Sequence, residues 1–598
     1  MRVLESLAIM TLVSTSAHPQ TAIVQWTPFT YTSIAGETVA ADTGRVTVPE
    51  RHGQSGPSIQ LPIIRVRSTA ARPGLPIIYL AGGPGGSGTT GMRGDLFPMV
   101  DALRAISDVI IYDQRGTGSA VPSLVVRATL GIPMDQLLGS SGAKDSAVAR
   151  ARAAAEEIRG RGIDLTAYNT VENADDLDLI RQALGVDRFI LWGHSYGSHL
   201  GLAYIRRHGA HVERAILGGI NGLDQRRRLP ADGDLLLTRI DSIVRRTPKL
   251  NQVMPDFLGS TRRALAKLAA NPVKVRVDSA EVLVGKEEVQ MLIAIASGEL
   301  PFVSALPLMI GELDAGRHEL VARQVRDVIK ARPIGTAMTY PMDMSSGVSP
   351  ARARRIAEQA SSALLGNAIN FPFDQPEYRQ AWGVRVLPDE FRQPLVSGVP
   401  ALFISGTLDG RTSLGDAAEV RRGFRSSTDV VVDGAAHNPY ALTTALRDIM
   451  LRFARGEAVG DARLSVATEL RGPDEPALIE ELRRVAGSGG AAAVSARLRE
   501  MAAPGSPSYV TSFVPGNAFF ALQRQDRKPE EAFAVLQTGV ELFPRNSFLL
   551  TRLAEVHAAR GERDQAIAAY RRALEADPFN RVAAVQLQKL GATPAEHP

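Results

Sequence analysis

No cysteine occurs among the 598 residues, so no disulfide holds any part of this chain, and its cellular compartment cannot be read from its thiols. Excess charge is also lacking. The 68 basic and 63 acidic side chains leave a formal net charge of +5, and the basic residues are scattered as arginines along helix-like segments, which argues against a nucleic-acid face. Beyond the N-terminus no apolar run is long enough to span a bilayer. What is present is ordinary for a globular protein with a sizeable core: 44% hydrophobic and 22% charged residues. The length exceeds one ordinary domain. At the start, Met1-Arg2-Val3-Leu4, the apolar stretch Leu7 to Val13 and small residues up to Ala17 resemble a compact signal peptide over residues 1–20. Glu5 interrupts its apolar region, and an ordinary buried helix or strand is the alternative. That reading places the protein in the periplasm or outside the cell, with the cytoplasm as the alternative.

The chemistry concentrates at Gly193-His194-Ser195-Tyr196-Gly197, between the apolar run Phe189 to Trp192 and the helix-like stretch Leu200 to Tyr204. A strand passing through G-x-S-x-G into a helix is a nucleophile elbow, and the tight turn demands small residues beside the serine. Ser195 is the candidate nucleophile. The motif alone could arise by chance in a chain with 54 glycines, so its partners decide. A serine hydroxyl needs a base, and in such a fold the partners follow in the order Ser, Asp or Glu, His. Val399 to Gly406 reads as a buried parallel strand running into Asp409. The next strand, Asp429 to Asp433, runs into His437. His437 would take and return the proton while Asp409 fixes its tautomer. Taken singly, Asp409 reads as a turn former and His437 as a loop residue. Asp416 and Asp433 compete with Asp409 but fall inside the following helix and the preceding strand.

An oxyanion hole needs backbone donors aimed at the developing charge. The strand Pro76 to Ala81 leads into Gly82-Gly83-Pro84-Gly85-Gly86-Ser87-Gly88. Gly83 and Tyr196, the residue after the nucleophile, are the candidate donors. A phosphate cradle is the other use of such a turn, but the spacing is neither G-x-G-x-x-G nor a Walker pattern. The run Asp113-Gln114-Arg115-Gly116, after the strand Val109 to Tyr112, carries polar side chains suited to tying loops together beneath the site. No metal or other cofactor is called for.

With the elbow, the Gly82–Gly86 loop and the run Tyr112 to Ser119, the chain resembles the prolyl aminopeptidase and tripeptidyl aminopeptidase group of α/β-hydrolases over residues 40–455. The resemblance implies a mostly parallel α/β-hydrolase sheet with an inserted helical cap, and cleavage of peptides at free N-termini. Ala81 stands where many relatives have histidine, and Ser413 where proline is common. The family's acidic amine-holding motifs do not align here. Glu312, Asp314 and Asp343 are candidates for that role, each of which also reads as a solvated carboxylate.

The domain reading follows: hydrolase core over 21–222 and 397–455, helical cap over 223–396, and linkers with short helices over 456–516. Within the cap, Leu235 to Arg245, Thr261 to Ala269, Glu287 to Ala296 and Ser349 to Leu364 show helical spacing, and Thr339 to Met344 reads as a loop over the site. Over 517–598, Ala532, Leu536, Gly539 and Pro544 recur 34 residues later as Ala566, Tyr570, Ala573 and Pro578, the tetratricopeptide period. The repeats would serve a protein partner or simply pack on the hydrolase. Three functions compete: a serine aminopeptidase acting through an acyl-enzyme, an esterase with the same triad, and a hydrolase-fold scaffold whose repeats bind a partner.

Overall fold

The computed structural model describes residues 23–440 and 442–593; the N-terminal stretch read as a signal peptide lies outside them. Ten strands form one sheet: β1 (Thr27–Thr32), β2 (Thr38–Pro49), β3 (Ser58–Val66), β4 (Ile77–Leu80), β5 (Val109–Tyr112), β6 (Phe189–His194), β7 (Val212–Gly218), β8 (Ala401–Gly406), β9 (Ser427–Asp433) and β10 (Ala462–Ser465). Their spatial order is β1-β2-β3-β5-β4-β6-β7-β8-β9-β10. The first three strands and the β3–β5 pair are antiparallel, and every pair from β5 through β10 is parallel. This is the mostly parallel sheet expected.

The central strands are buried on both faces, so they read as unbroken apolar runs. Alternate residues feed two cores. In β6, Phe189 and Leu191 join the core shared with the insertion, while Ile190 and Trp192 face the helices Phe97–Leu103 and Thr444–Arg455. The stretch between β7 and β8 is mainly helical, as expected, and its apolar residues are continuous with the first core. It also holds a hairpin, Val273–Val277 against Ala280–Val284, and a strand, Pro333–Thr336, paired with Val125–Thr129. Periodicity missed all three because each strand is short and only partly buried.

After β10 the chain becomes helical. The Gly487 to Gly490 run, expected as a linker around short helices, separates two helices within Glu475–Ala502: the chain kinks at Gly490, whose φ is 68° and ψ −165°, a conformation that suits glycine. The two helices pack together with the repeats: Leu482, Val494 and Leu498 join Leu536, Leu550 and Tyr570 in one separate core. The two visible repeat units therefore stack on preceding helices, which supply the neighbours that two units lack. We expect a fragment starting at Asp474 and running to the C-terminus to melt cooperatively, whereas one starting at Asn517 melts broadly at lower temperature. Circular dichroism on the two fragments decides this; equal melts would show that Glu475–Ala502 is dispensable.

Candidate active site

Strand β6 ends at a one-residue turn, after which helix α1 (Tyr196–His208) begins at once. Ser195 sits in the turn with φ 56° and ψ −123°, a region that costs energy for a residue carrying a side chain. The glycines on either side permit it. A methyl group on Gly197 would stand 1.9 Å from the Leu80 carbonyl oxygen, and one on Gly193 would stand 2.4 Å from that of Gly197. From Phe189 to Ile205, Ser195 alone is not fully buried.

Because β7, β8 and β9 are parallel neighbours, the loops after them open on the same sheet edge as Ser195. Asp409 and His437 arrive on two of these loops, with His437 Nδ1 2.7 Å from Asp409 Oδ2. Thr412, which the sequence reading did not single out, donates its hydroxyl to the same oxygen at 2.6 Å, and the Arg411 and Thr412 amides donate to Oδ1 at 2.7 and 3.0 Å. Burial opposes ionisation of Asp409, yet the His437 ring and the Thr412 donors outweigh it and hold the carboxyl at about 2. The His437 amide is anchored on the Gly298 carbonyl at 3.1 Å. Ser195 and His437 meet at the end of β7: the Ser195 amide donates to Gly218 O at 2.9 Å, and a methyl on Gly219 would lie 2.9 Å from His437 Cε1. Among the described residues no hydrogen bond joins the Ser195 hydroxyl to His437. Behind the pair, the His194 ring lies 4.8 Å from that of His437 and within 3.3 Å of the Tyr440 hydroxyl. Burial, then the nearby His437, push His194 down to about 3, so it is a neutral packing partner at ordinary pH.

The glycine loop after β4 packs on Ser195, and a methyl on Gly82 would come within 3.0 Å of its Cβ. Gly83 is exposed at φ 117°. Neither its amide nor that of Tyr196 donates to any acceptor among the described residues, the second being an orphan donor at a helix start. The loop is fixed from below. Asp113 accepts from Ser87 Oγ at 2.7 Å, Thr89 N at 3.0 Å and Ser119 N at 2.9 Å, and Gln114 Nε2 donates to Ala81 O at 3.0 Å. Arg115, wholly buried, meets Asp176 through two bonds of 2.7 and 2.6 Å.

Thr339 to Met344, expected as a loop, belongs to helix α2 (Thr339–Ser346). Pro341 does not break it, because the first-turn amides of a helix have no internal acceptor. Thr339 Oγ1 donates to Pro84 O at 2.8 Å, so the helix lies directly over the glycine loop. Asp343, on α2, is buried between Arg226 and Arg227, the latter at 2.5 Å. Glu312 pairs with Arg317 at 2.7 Å, and Asp314 with Arg263 and Lys267 at 2.7 and 2.8 Å. All three candidate amine holders are thus neutralised within the fold. Asp416 meets Arg352 through two bonds of 3.0 Å, and Asp433 pairs with Arg463 at 2.6 Å. Neither is bonded to His437. Two polar atoms on the loop after β7, Asn221 Oδ1 and Arg226 Nε, are buried with no hydrogen-bond partner among the described residues.

Residues 76–243 match the alpha/beta hydrolase fold family and residues 523–588 the tetratricopeptide repeat. The chain is 32% identical over 192 residues to the tripeptidyl aminopeptidase of Streptomyces coelicolor, which covers 30% of this chain and 34% of that protein. It is 30% identical over 209 residues to the serine protease Hip1 of Mycobacterium tuberculosis, covering 33% and 39%. Against the proline iminopeptidase of Neisseria gonorrhoeae it is 29% identical over 147 residues, covering 25% and 33%. The matches thus span about a third of these relatives' lengths.

Asp409 titrates at about 2 in the fold against 3.8 for a free aspartate. Between those values the unfolded chain binds more protons, so the stabilisation is present above about pH 4 and lost as pH falls toward 2. Asp409→Asn should therefore lower stability at neutral pH, with the deficit shrinking on acidification. Denaturant melts across that range measure it; a deficit independent of pH would separate Asp409 from the effect.

Proposed function

We propose, for a chain that belongs by fold to the α/β-hydrolases and carries tetratricopeptide repeats, that it is a serine peptidase releasing residues or short peptides from free N-termini. Ser195 attacks the scissile carbonyl, and His437 takes its proton and then delivers it to the leaving amine. Asp409 holds the imidazole's tautomer and stabilises its charged form. The Gly83 and Tyr196 amides receive the developing oxyanion. An acyl-enzyme forms on Ser195, and water, activated by the same histidine, releases it. The observation that carries this reading is the buried 2.7 Å His437–Asp409 contact on the sheet edge where the strained Ser195 turn opens. The aminopeptidase part rests on the relatives named above.

A second reading, an esterase of the same fold, is favoured by one observation. Glu312, Asp314 and Asp343 are all committed to basic side chains, which leaves none of the three free to hold a substrate's α-amine.

Acting as a unit, the catalytic residues should show strong non-additivity. Ser195→Ala and His437→Ala should each lower turnover by about a million-fold, with little further loss when combined, and Ser195→Ala should abolish labelling by a fluorophosphonate. Labelling that persists in the Ser195→Ala protein would remove the nucleophile assignment.

A free α-amine recognised through a charged hydrogen bond should contribute about 1.5–3 kcal/mol, so N-acetylation of a peptide should lower kcat/KM by roughly tenfold or more. Equal cleavage of acetylated and free peptides, or a preference for simple esters, would replace the aminopeptidase reading with the esterase one.

A further inference from the structure

Where the core, the insertion and the repeats converge, they border an open cavity of about 550 Å³. Ala436 and Asn438, on either side of His437, line it, while His437 and Ser195 do not; Gly298 lines it too, and its carbonyl holds the His437 amide at 3.1 Å. Its apolar wall comes from all three parts of the chain: Ile34 beyond β1, Leu300 and Pro301 from the insertion, Leu442, and Phe579 and Val582 from the last repeat. Ile34, Leu442 and Val582 are 77%, 37% and 40% exposed. Single exposed apolar side chains are ordinary, but several around one concavity mark a binding surface.

The repeat is tied to this place. Arg581 Nε lies 3.1 Å from Glu37 Oε2, and the Arg447 guanidinium stands 5.9 Å from the centre of the Phe579 ring. The last helix, α3 (Arg581–Lys589), begins at that contact.

Reaction chemistry gives the cavity a side. The acyl part of a substrate lies between Ser195 and the oxyanion donors, whereas the departing amine must receive its proton from His437 and therefore leaves past the imidazole. A chain leaving past the imidazole runs toward the residues flanking His437, and so toward the space that Ala436 and Asn438 line. For an enzyme that cuts near a free N-terminus, that leaving group is the remainder of the peptide.

We propose that the cavity is the subsite for the leaving peptide, and that the C-terminal repeat, through Phe579 and Val582, selects apolar side chains just beyond the scissile bond. The proposal rests on the peptidase reading. It assigns the repeat to substrate selection, a role distinct from recruiting a separate protein partner.

The test uses full-length Ser195→Ala protein and two decapeptides with free N-termini and a fluorescent C-terminal label, one carrying leucine and the other serine at positions two to six. Fluorescence anisotropy should show the leucine peptide binding roughly tenfold or more tightly. Adding Val582→Asp, on the repeat, or Ile34→Asp, on the core side, should each reduce that preference to threefold or less. Two variants on separate elements guard against misfolding of either one. An unchanged preference in both, or no preference in the parent, overturns the proposal. Fluorophosphonate labelling of the unmutated protein reports separately on the peptidase reading: labelling with no effect of Val582→Asp or Ile34→Asp rejects the subsite alone, and absence of labelling rejects the reading on which it rests.

Discussion

The turn at Ser195 is the constraint on which the remaining geometry depends. A side chain held at φ 56° persists only where its surroundings over-determine it, and here β6 is central in the sheet, flanked by β4 and β7. The contact that permits the turn, Gly197 against the Leu80 carbonyl, also joins Ser195 to the strand that carries the glycine loop. Ser195 and the glycine loop are therefore placed by one piece of packing. The parallel order of β7, β8 and β9 then brings the Asp409 and His437 loops to the same edge without further instruction.

The buried ionic contacts divide into two kinds. Those beneath the site, Asp113 with its hydroxyl and amide donors and Arg115 with Asp176, hold loops in register. A buried pair of this kind is weak evidence for net stability but is costly to break on one side only. Those in the insertion, such as Asp343 between Arg226 and Arg227, fasten α2 to the insertion's own first segment after β7. The insertion is thereby tied together internally by charges that a sequence alone presents as free carboxylates, while Thr339 on α2 reaches the core at Pro84 O.

Legibility in the sequence followed the range of the interactions. The elbow, the glycine loop and the strand ends bearing Asp409 and His437 are each specified by neighbours within a few residues, and the 34-residue recurrence is visible because its units repeat. The departures lie where distant packing decides. Thr339–Ser346 is helical despite Pro341. The short strand pairs of the insertion carry no strong period. Thr412 had a local signal, its three-residue spacing from Asp409, but its value appears only when the hydroxyl and the imidazole are seen to share one carboxylate oxygen. The ionic partners of Asp314, Arg263 and Lys267, come from a different helix and depend on a chain crossing that no spacing encodes, whereas Glu312 meets Arg317 only five residues on.

Arg581 reaches back to Glu37 and stands 3.7 Å from Asp101, so a helix late in the described chain is pinned to segments near its start. A ribosome makes these partners in sequence. The sheet and the Ser195 turn emerge long before the helix that carries Arg581, so the core must hold its own shape while Glu37 and Asp101 still lack that guanidinium, and the ionic contact is sealed only once the repeats have been made.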